Sequence, residues 1–354
     1  TVLSSGLFSK QAGDLDFILS GKFLDSDGWE FRAVDPAGTA DSTDYGLESY
    51  SFTGQLKYKD FILTGISGYI DSTVLGSTAL WPADDQQMRR DFFDAQYKHA
   101  LAKDWKTTLN ITYNGLEFTN DRNQDFSFND VLFEPSVEGI LFDEVNLLAG
   151  FVYQRLRGDL QDERFHYSND RFSYYPQVDY FPWNFLKLIA GFQVNKPEGI
   201  DYDVSPRFGA IAHWTPEFGV KLLYGRSFRS PNAGELALDL PTAVGNPNLG
   251  PETITTFDAQ VFYSGPKFYT ALTYYNSNEN NISNGVSEDG RRTFINEGET
   301  DFEGIELEGK INLQDAWELS GSVSYQENED DAGNEDVGWV PNFMAKGGIS
   351  YRSQ

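Results

Sequence analysis

Cysteine is absent from the 354-residue chain, and histidine occurs three times, at His99, His166 and His213. Without thiols there is no disulfide framework, thiolate zinc site or cysteine nucleophile. Three scattered imidazoles leave no Ser/His/Asp set, so no catalytic residue is assigned and the chain does not read as an enzyme. Basic residues are scarce: 27 Lys+Arg stand against 54 Asp+Glu, a formal net charge of −27. Nucleic-acid binding draws much of its affinity from Lys and Arg on phosphates, so this balance argues against a nucleic-acid partner. Long apolar runs are missing too. The longest, counting glycine, is Leu147 to Tyr153, far short of the roughly 20 residues of a membrane-spanning helix. The N-terminus has no charged-then-apolar leader, because Thr1-Val2-Leu3-Ser4-Ser5 already reads as strand.

What is abundant is aromatic: 28 Phe, 19 Tyr and 7 Trp, where a disordered acidic chain would be aromatic-poor. Period-2 alternation runs through the sequence, the mark of strands with two unlike faces. Ile305, Leu307, Gly309, Ile311 and Leu313 alternate with Glu306, Glu308, Lys310 and Asn312. Leu109, Ile111 and Tyr113 alternate with Asn110, Thr112 and Asn114, and Leu319, Gly321, Val323 and Tyr325 with three serines. No segment shows convincing 3.6-residue periodicity with a cap, so a helix-containing α/β fold lacks its helices.

Segment counting gives roughly eighteen strands paired as hairpins. Short turns at Lys59-Asp60, Lys103-Asp104, Phe181-Pro182-Trp183-Asn184, Pro216-Glu217, Gly265-Pro266 and Asp315-Ala316 alternate with polar loops near residues 25–44, 72–90, 117–125, 157–162, 231–251, 276–292 and 326–337. One trimmed edge and one elaborate edge, joined by apolar-out strands, predict an all-β fold: a transmembrane antiparallel up-and-down β-barrel. Tyr58, Tyr97, Trp105, Trp183, Trp214, Tyr263 and Trp317 cluster near the short turns, as interfacial rings do. A soluble sandwich of this many strands would leave edges to protect, which a closed barrel does not.

Phe228-Arg229-Ser230-Pro231-Asn232-Ala233-Gly234-Glu235-Leu236, then Gly245-Asn246-Pro247-Asn248-Leu249-Gly250-Pro251-Glu252, then Asn296-Glu297-Gly298 leading to Gly304-Ile305-Glu306-Leu307-Glu308, resemble in order the barrel motifs of TonB-dependent outer-membrane receptors. The resemblance covers the pattern of residues 1–354. It implies a barrel of about 22 strands in full, with about eighteen of them here, and a plug carrying the TonB box, which this sequence does not show. It also implies localisation in the bacterial outer membrane, amid lipid and lipopolysaccharide, with TonB reached through the plug and a small-molecule ligand.

The residues of the first two motifs read first as a rigid corner: Pro231, Pro247 and Pro251 cannot donate to a ladder, and Asn246 and Asn248 close turns through their side chains. Candidate ligand contacts are Arg229, Asn232 and Glu235, together with Trp29, Tyr45, Trp81, Arg291 and Arg292 on other long loops. No resident cofactor is expected, apart from calcium bound by Glu329, Asp330, Asp331 and Asp336, hard oxygen donors without the spacing of a dedicated loop. Asp121, Asn123, Asp125, Asn129 and Asp130 form a second such run, and Asp84-Asp85 reads as a solvated pair. Three functions fit: energy-coupled import of a scarce ligand such as an iron-siderophore, another metal chelate or cobalamin; a passive porin; and a loop-mediated adhesin. The motif set favours the first.

Overall fold

The computed structural model describes residues 1–34, 40–78, 81–120, 125–160, 165–240, 243–287, 290–313, 316–337 and 340–352. The chain is all-β. In order, the strands are β1 (Val2–Ala12), β2 (Leu15–Ser26), β3 (Glu30–Val34), β4 (Ala40–Asp44), β5 (Leu47–Tyr58), β6 (Phe61–Thr78), β7 (Trp81–Ala102), β8 (Trp105–Asn120), β9 (Phe126–Leu141), β10 (Val145–Leu160) and β11 (Phe165–Trp183). They continue as β12 (Leu186–Pro197), β13 (Asp203–His213), β14 (Phe218–Arg229), β15 (Asp239–Leu240), β16 (Ala243–Val244), β17 (Glu252–Ser264), β18 (Phe268–Val286), β19 (Arg292–Leu313), β20 (Trp317–Asp330) and β21 (Phe343–Tyr351), with a one-turn helix α1 (Ala233–Ala237) after β14. Nineteen strands belong to one sheet, β15 and β16 being two residues each, and β3 and β4 form a separate hairpin.

Two compact units divide the chain: Thr1–Val137 with Gly150–Phe172, and Glu138–Ala149 with Ser173–Gln354. In the first, β1, β2, β5, β6, β7 and β8 pair antiparallel in that order. In the second, β12, β13, β14, β17, β18, β19, β20 and β21 do the same. Short turns of the second unit are tied to one another along one edge: His213 N–H donates to Phe185 O, Ser264 to Glu217, Asn312 to Lys267 and Arg352 to Ala316. The expected alternation of a trimmed and an elaborate edge therefore holds there. Rings gather at the trimmed edge as anticipated, with Trp183 stacked on Phe185, Trp214 on Phe218 and Trp317 packed on Tyr351.

Several boundaries differ from the sequence reading. The turn placed at residues 181–184 lies at 184–185, and Pro182 stays within β11. The structure adds hairpin turns at 13–14 and 142–144; the second is closed by Phe142 and Asp143, both at positive φ (56° and 59°). Stretches 72–90 and 276–292, read as loops, are mostly strand, because β6–β7 and β18–β19 run on as hairpins with polar residues on both faces. Asp84 is buried rather than solvated, accepting from Asn120 and Gln86.

The two faces of each ladder are what the alternation predicted. Leu272, Leu307 and Val323 lie side by side on one face, as do Phe93 and Tyr113, and each of them is more than a third exposed. Opposite them run polar ladders: Thr112 donates to Asp94, Gln96 to Asn110, Gln260 to Thr273 and Tyr269 to Glu308. Among the described residues the buried apolar side chains are few: Ile200, Ala233, Leu249, Phe262 and Ala271, with Pro197 and Pro231. A soluble chain of this size buries a large core, so here the apolar face itself must be covered by an apolar solvent. Placing Arg at the centre of that face should then cost about 2–4 kcal/mol. We predict that Leu307→Arg lowers unfolding stability in vesicles by this amount while Ser322→Arg, on the polar face, changes it little; equal effects would overturn the assignment of faces.

Candidate functional site at the loop ends

On the outward face of β14 and β17, Tyr224 pairs with Phe257, and past them stand Arg226 opposite Thr255 and Phe228 opposite Thr253. Beyond that level the chain makes a corner. Pro231 ends the strand and is fully buried, with Ala233 and Leu249 also buried. Asn232 caps α1: its side chain accepts from Glu235 N at 3.0 Å, and Glu235 Oε2 accepts from Asn232 N at 2.7 Å, a reciprocal capping box. The returning chain then locks on. Gly245 N–H donates to Leu238 O at 2.7 Å and Asn246 N–H to Glu235 O at 2.8 Å. A Cβ on Gly245 would meet Ala237 N at 2.5 Å, so only glycine permits this approach.

The third motif closes the knot. Asn246 Nδ2 donates to Phe294 O at 2.9 Å, Gly250 N–H to Asn296 Oδ1 at 2.8 Å, and Asn296 Nδ2 to Gly250 O at 3.1 Å. Three segments far apart in sequence thus form one hydrogen-bonded corner above β14, β17 and β19.

Arg229 sits at its centre. Its Nη2 and Nη1 donate to Glu235 Oε1 (2.9 Å) and Oε2 (3.1 Å), and its Nε donates to Glu252. Glu252 also accepts from Ile282 N–H at 2.8 Å. Partial burial pushes the Glu252 carboxyl up, but the Arg229 guanidinium and the Ile282 N–H outweigh it, and the group lies below the ordinary carboxylate range. Of the named candidates, Arg229, Asn232 and Glu235 are therefore bound to one another and to the corner. Glu252, the second carboxylate on Arg229, was not picked out from sequence, although it stands at the end of the motif.

The other candidates lie elsewhere. Trp29 and Tyr45 stack at 4.7 Å between centroids and 7° between planes, with Trp29 63% exposed. Their pairing is enforced by Gly28, at φ +67°, where a Cβ would overlap Tyr45 O, and by Tyr45 N–H donating to Trp29 O at 3.0 Å. The Trp81 backbone opens β7, and its side chain lies outside the described residues. Arg291 is held by Asp239 at 2.6 Å, whereas Arg292 at the start of β19 is exposed.

The four calcium candidates are divided. Asp330 closes its own turn, accepting from Ala332 N, Asn334 N and Asn334 Nδ2; the Asn334 donors hold its carboxyl below the usual range. Asp331 donates its N–H to Glu299, while Glu329 and Asp336 line a separate hollow. In the second acidic run, residues 121–124 lie outside the described residues, and Asp130 accepts from Asn114. Among the described residues no group of three His, Asp or Glu is placed to hold a metal.

On the polar face of β14 and β17–β21 a hollow of about 480 Å³ is lined by Lys221, Asp258, Gln260, Glu306, Glu308 and Lys346, among others. It is a wet, charged wall that could meet a polar body. A family model described as TonB dependent receptor-like, beta-barrel, matches residues 24–354.

The chain belongs to the TonB-dependent receptor β-barrel family.

Members are transport receptors of the Gram-negative outer membrane that work with TonB and small-molecule ligands such as siderophores. Among curated proteins none matches the chain. Solved structures share the fold at low identity. The siderophore receptor PirA of Pseudomonas aeruginosa superposes with a TM-score of 0.76 at 13% identity, over 98% of this chain and 69% of its own. A mutant of the ferric enterobactin receptor PfeA from the same organism gives 0.80 at 13%, over 99% and 63%. The iron transporter FrpB of Neisseria meningitidis gives 0.72 at 11%, over 93% and 60%. The chain therefore spans 60–69% of the length of these three receptors.

In this receptor barrel the Arg229 brace generates a prediction. A carboxylate whose pKa is lowered by folding contributes stability above its unfolded pKa and loses it as pH falls through the folded value. Hydrogen exchange of residues 231–251 should accordingly speed up on acidification through the carboxylate range. Arg229→Ala should weaken the corner by about 1–2 kcal/mol and flatten that pH response. Unchanged protection in the variant would refute the brace.

Proposed function

We propose that this chain is the barrel of an energy-coupled importer in the outer membrane, taking up a scarce ligand, foremost an iron-siderophore or other metal chelate, with cobalamin a further candidate. The observation that carries the reading is the family match over residues 24–354, and the fold shared with siderophore and iron receptors supports it. A plug domain outside the 354 residues gates the lumen and reaches TonB. The charged wall around Lys221, Asp258, Glu306 and Lys346 suits a hydrated plug surface better than a dry core.

Ligand contact falls to the loop ends. The Trp29–Tyr45 stack offers an exposed aromatic face, on which planar or cationic groups dock. Arg292, and Arg291 beside Asp239, supply local positive charge against the acidic average. Arg229, Asn232 and Glu235 serve mainly by holding the corner from which neighbouring contacts are presented.

Two measurements test this reading. Cells carrying the full receptor should accumulate a ferric chelate at concentrations well below millimolar only when the inner-membrane energy-coupling complex is present; uptake that survives its loss would point to a passive porin. Trp29→Ala should weaken ligand binding about tenfold, the value of one stacked ring at ~1.4 kcal/mol, without changing barrel stability, and undiminished affinity would remove the stack from the site.

A further inference from the structure

Neighbouring arginines on β7 face opposite ways. Arg89 stands on the outward row with Tyr50 and Tyr69 and holds Asp91 at 3.0 Å. Arg90, three residues from the outward Phe93, faces the lumen. There it pairs across the ladders with Gly68 and Leu116, Gly68 pairs in turn with Ser51, and Ser51 with Lys22. Lys22 and Arg90 are both exposed, and among the described residues neither makes a hydrogen bond or an ion pair. The height of this row is set by its outward neighbour. Tyr50 stacks on Tyr69 at 5.3 Å, and the Tyr69 hydroxyl donates toward the loop end, to Asp71 at 3.2 Å, the posture of an interfacial ring. The two cations therefore stand at the outer mouth of the lumen, in the path of a ligand arriving from outside.

The rows around them depart from the rest of the polar face. Toward the loops stand Ile70, Met88 and Phe118, and toward the membrane centre Ile66 and Phe92. Ile66, Ile70 and Met88 are 41%, 44% and 40% exposed. Apolar side chains left open on a water-facing wall mark a contact surface. Acid is missing as well. Across β2 and β5–β8, the row of the two cations, the two rows on its loop side and the one below it contain no Asp or Glu. The acids nearest on this face are committed: Asp94, two rows below, accepts from Thr112, Asp130 on β9 from Asn114, and Asp84, three rows above, from Asn120 and Gln86. On β19, by contrast, the same face carries Glu306 and Glu308. Lys22 and Arg90 lie three strand spacings apart, about 14 Å. Only Ser51 and Gly68 stand between them, and a Cβ on Gly68 would meet nothing closer than 3.6 Å, so both long side chains can lean over open ground.

We propose that this wall seats an anionic metal chelate with an aromatic or hydrocarbon body. Lys22 and Arg90 take its charged oxygens, with the Ser51 hydroxyl between them, and Ile66, Ile70, Met88 and Phe92 take the body. A neutral chelate is not helped by the two cations, nor a wholly hydrophilic one by the apolar rows. The inference rests on the importer reading above and narrows its ligand by charge.

The test titrates the full receptor, plug included, with a trianionic ferric tris-catecholate and with a neutral ferric trihydroxamate, read by quenching of the protein tryptophans. The tris-catecholate should bind about tenfold more tightly, and added salt should erode that difference. Lys22→Gln and Arg90→Gln should each weaken its binding about tenfold. Arg90→Lys should recover most of the loss, and Arg89→Gln, on the outward face, should change nothing. Ile70→Ser with Met88→Ser should weaken binding without altering its salt dependence. Equal affinity for the two complexes, or a tris-catecholate affinity indifferent to Lys22→Gln and Arg90→Gln, overturns the proposal. So does intact affinity in variants whose plug becomes open to protease, which would make the wall a plug contact. Energy-coupled uptake of the trihydroxamate alone would sink the charge assignment and leave the importer standing. Tris-catecholate binding at this wall, with uptake indifferent to energy coupling, would overturn the importer and not the site.

Discussion

Every N–H and C=O of a strand that crosses hydrocarbon must find its partner within the protein, because no water is there to take it. The structure follows from that constraint. Antiparallel neighbours satisfy the backbone, and the pleat sends alternate side chains to opposite faces, so the face set against lipid has to be apolar and the other is free to be polar. This explains why so few apolar residues are buried, and why rows such as Leu272–Leu307–Val323 stand exposed. In a water-soluble protein such rows would be defects; here they are the supporting surface. Register is correspondingly strict, since a one-residue slip of β19 would carry Glu306 and Glu308 into the apolar layer.

Where that constraint acts, the sequence is readable. Within the apolar band each strand declares itself by alternation, and the faces assigned to Ile111, Leu307 and Val323 agree with the structure. Past the band the constraint relaxes, and so does legibility. Residues 276–286 and 292–300 are mostly polar, with Ile282, Val286, Phe294 and Ile295 in no regular alternation, a composition that reads as loop, yet they extend β18 and β19 because water tolerates a largely polar hairpin as well as a coil. The turn at 142–144 hid for a different reason. Phe142 and Asp143 adopt positive φ without the Asn-Gly or Asp-Gly pair that announces such a turn. Pro182 misled in the opposite sense, since a proline is tolerated within a strand where its missing N–H breaks no required bond.

The corner shows a second limit. Its residues were identifiable by spacing, and their turn-forming chemistry was legible one at a time. What no local reading shows is that Asn246 reaches Phe294 and that Asn296 reaches Gly250. Nor does the sequence show that Arg229 is committed to Glu235 and Glu252 together. An arginine in a motif looks like a ligand contact until its donors are counted. With three of its five N–H donors held by Glu235 and Glu252, Arg229 is oriented by the corner, so its first effect is on the shape of the loop.

The net charge of −27 likewise resolves into populations that a composition cannot separate. Part of the acid is matched: Lys310 holds Glu318 at 2.6 Å, Lys187 holds Asp179 at 2.7 Å and Arg226 holds Asp203 at 2.8 Å. Beside the outward ladder of Asp301, Glu303, Glu327 and Glu329, no Lys, Arg or His among the described residues lines the hollow. Such a ladder contributes to the long-range field only as far as mobile ions leave it unscreened, about 10 Å at ordinary ionic strength. A total of −27 therefore does not describe the field at any one point, and near the start of β19 it is offset locally by Arg292 and by Arg291 beside Asp239.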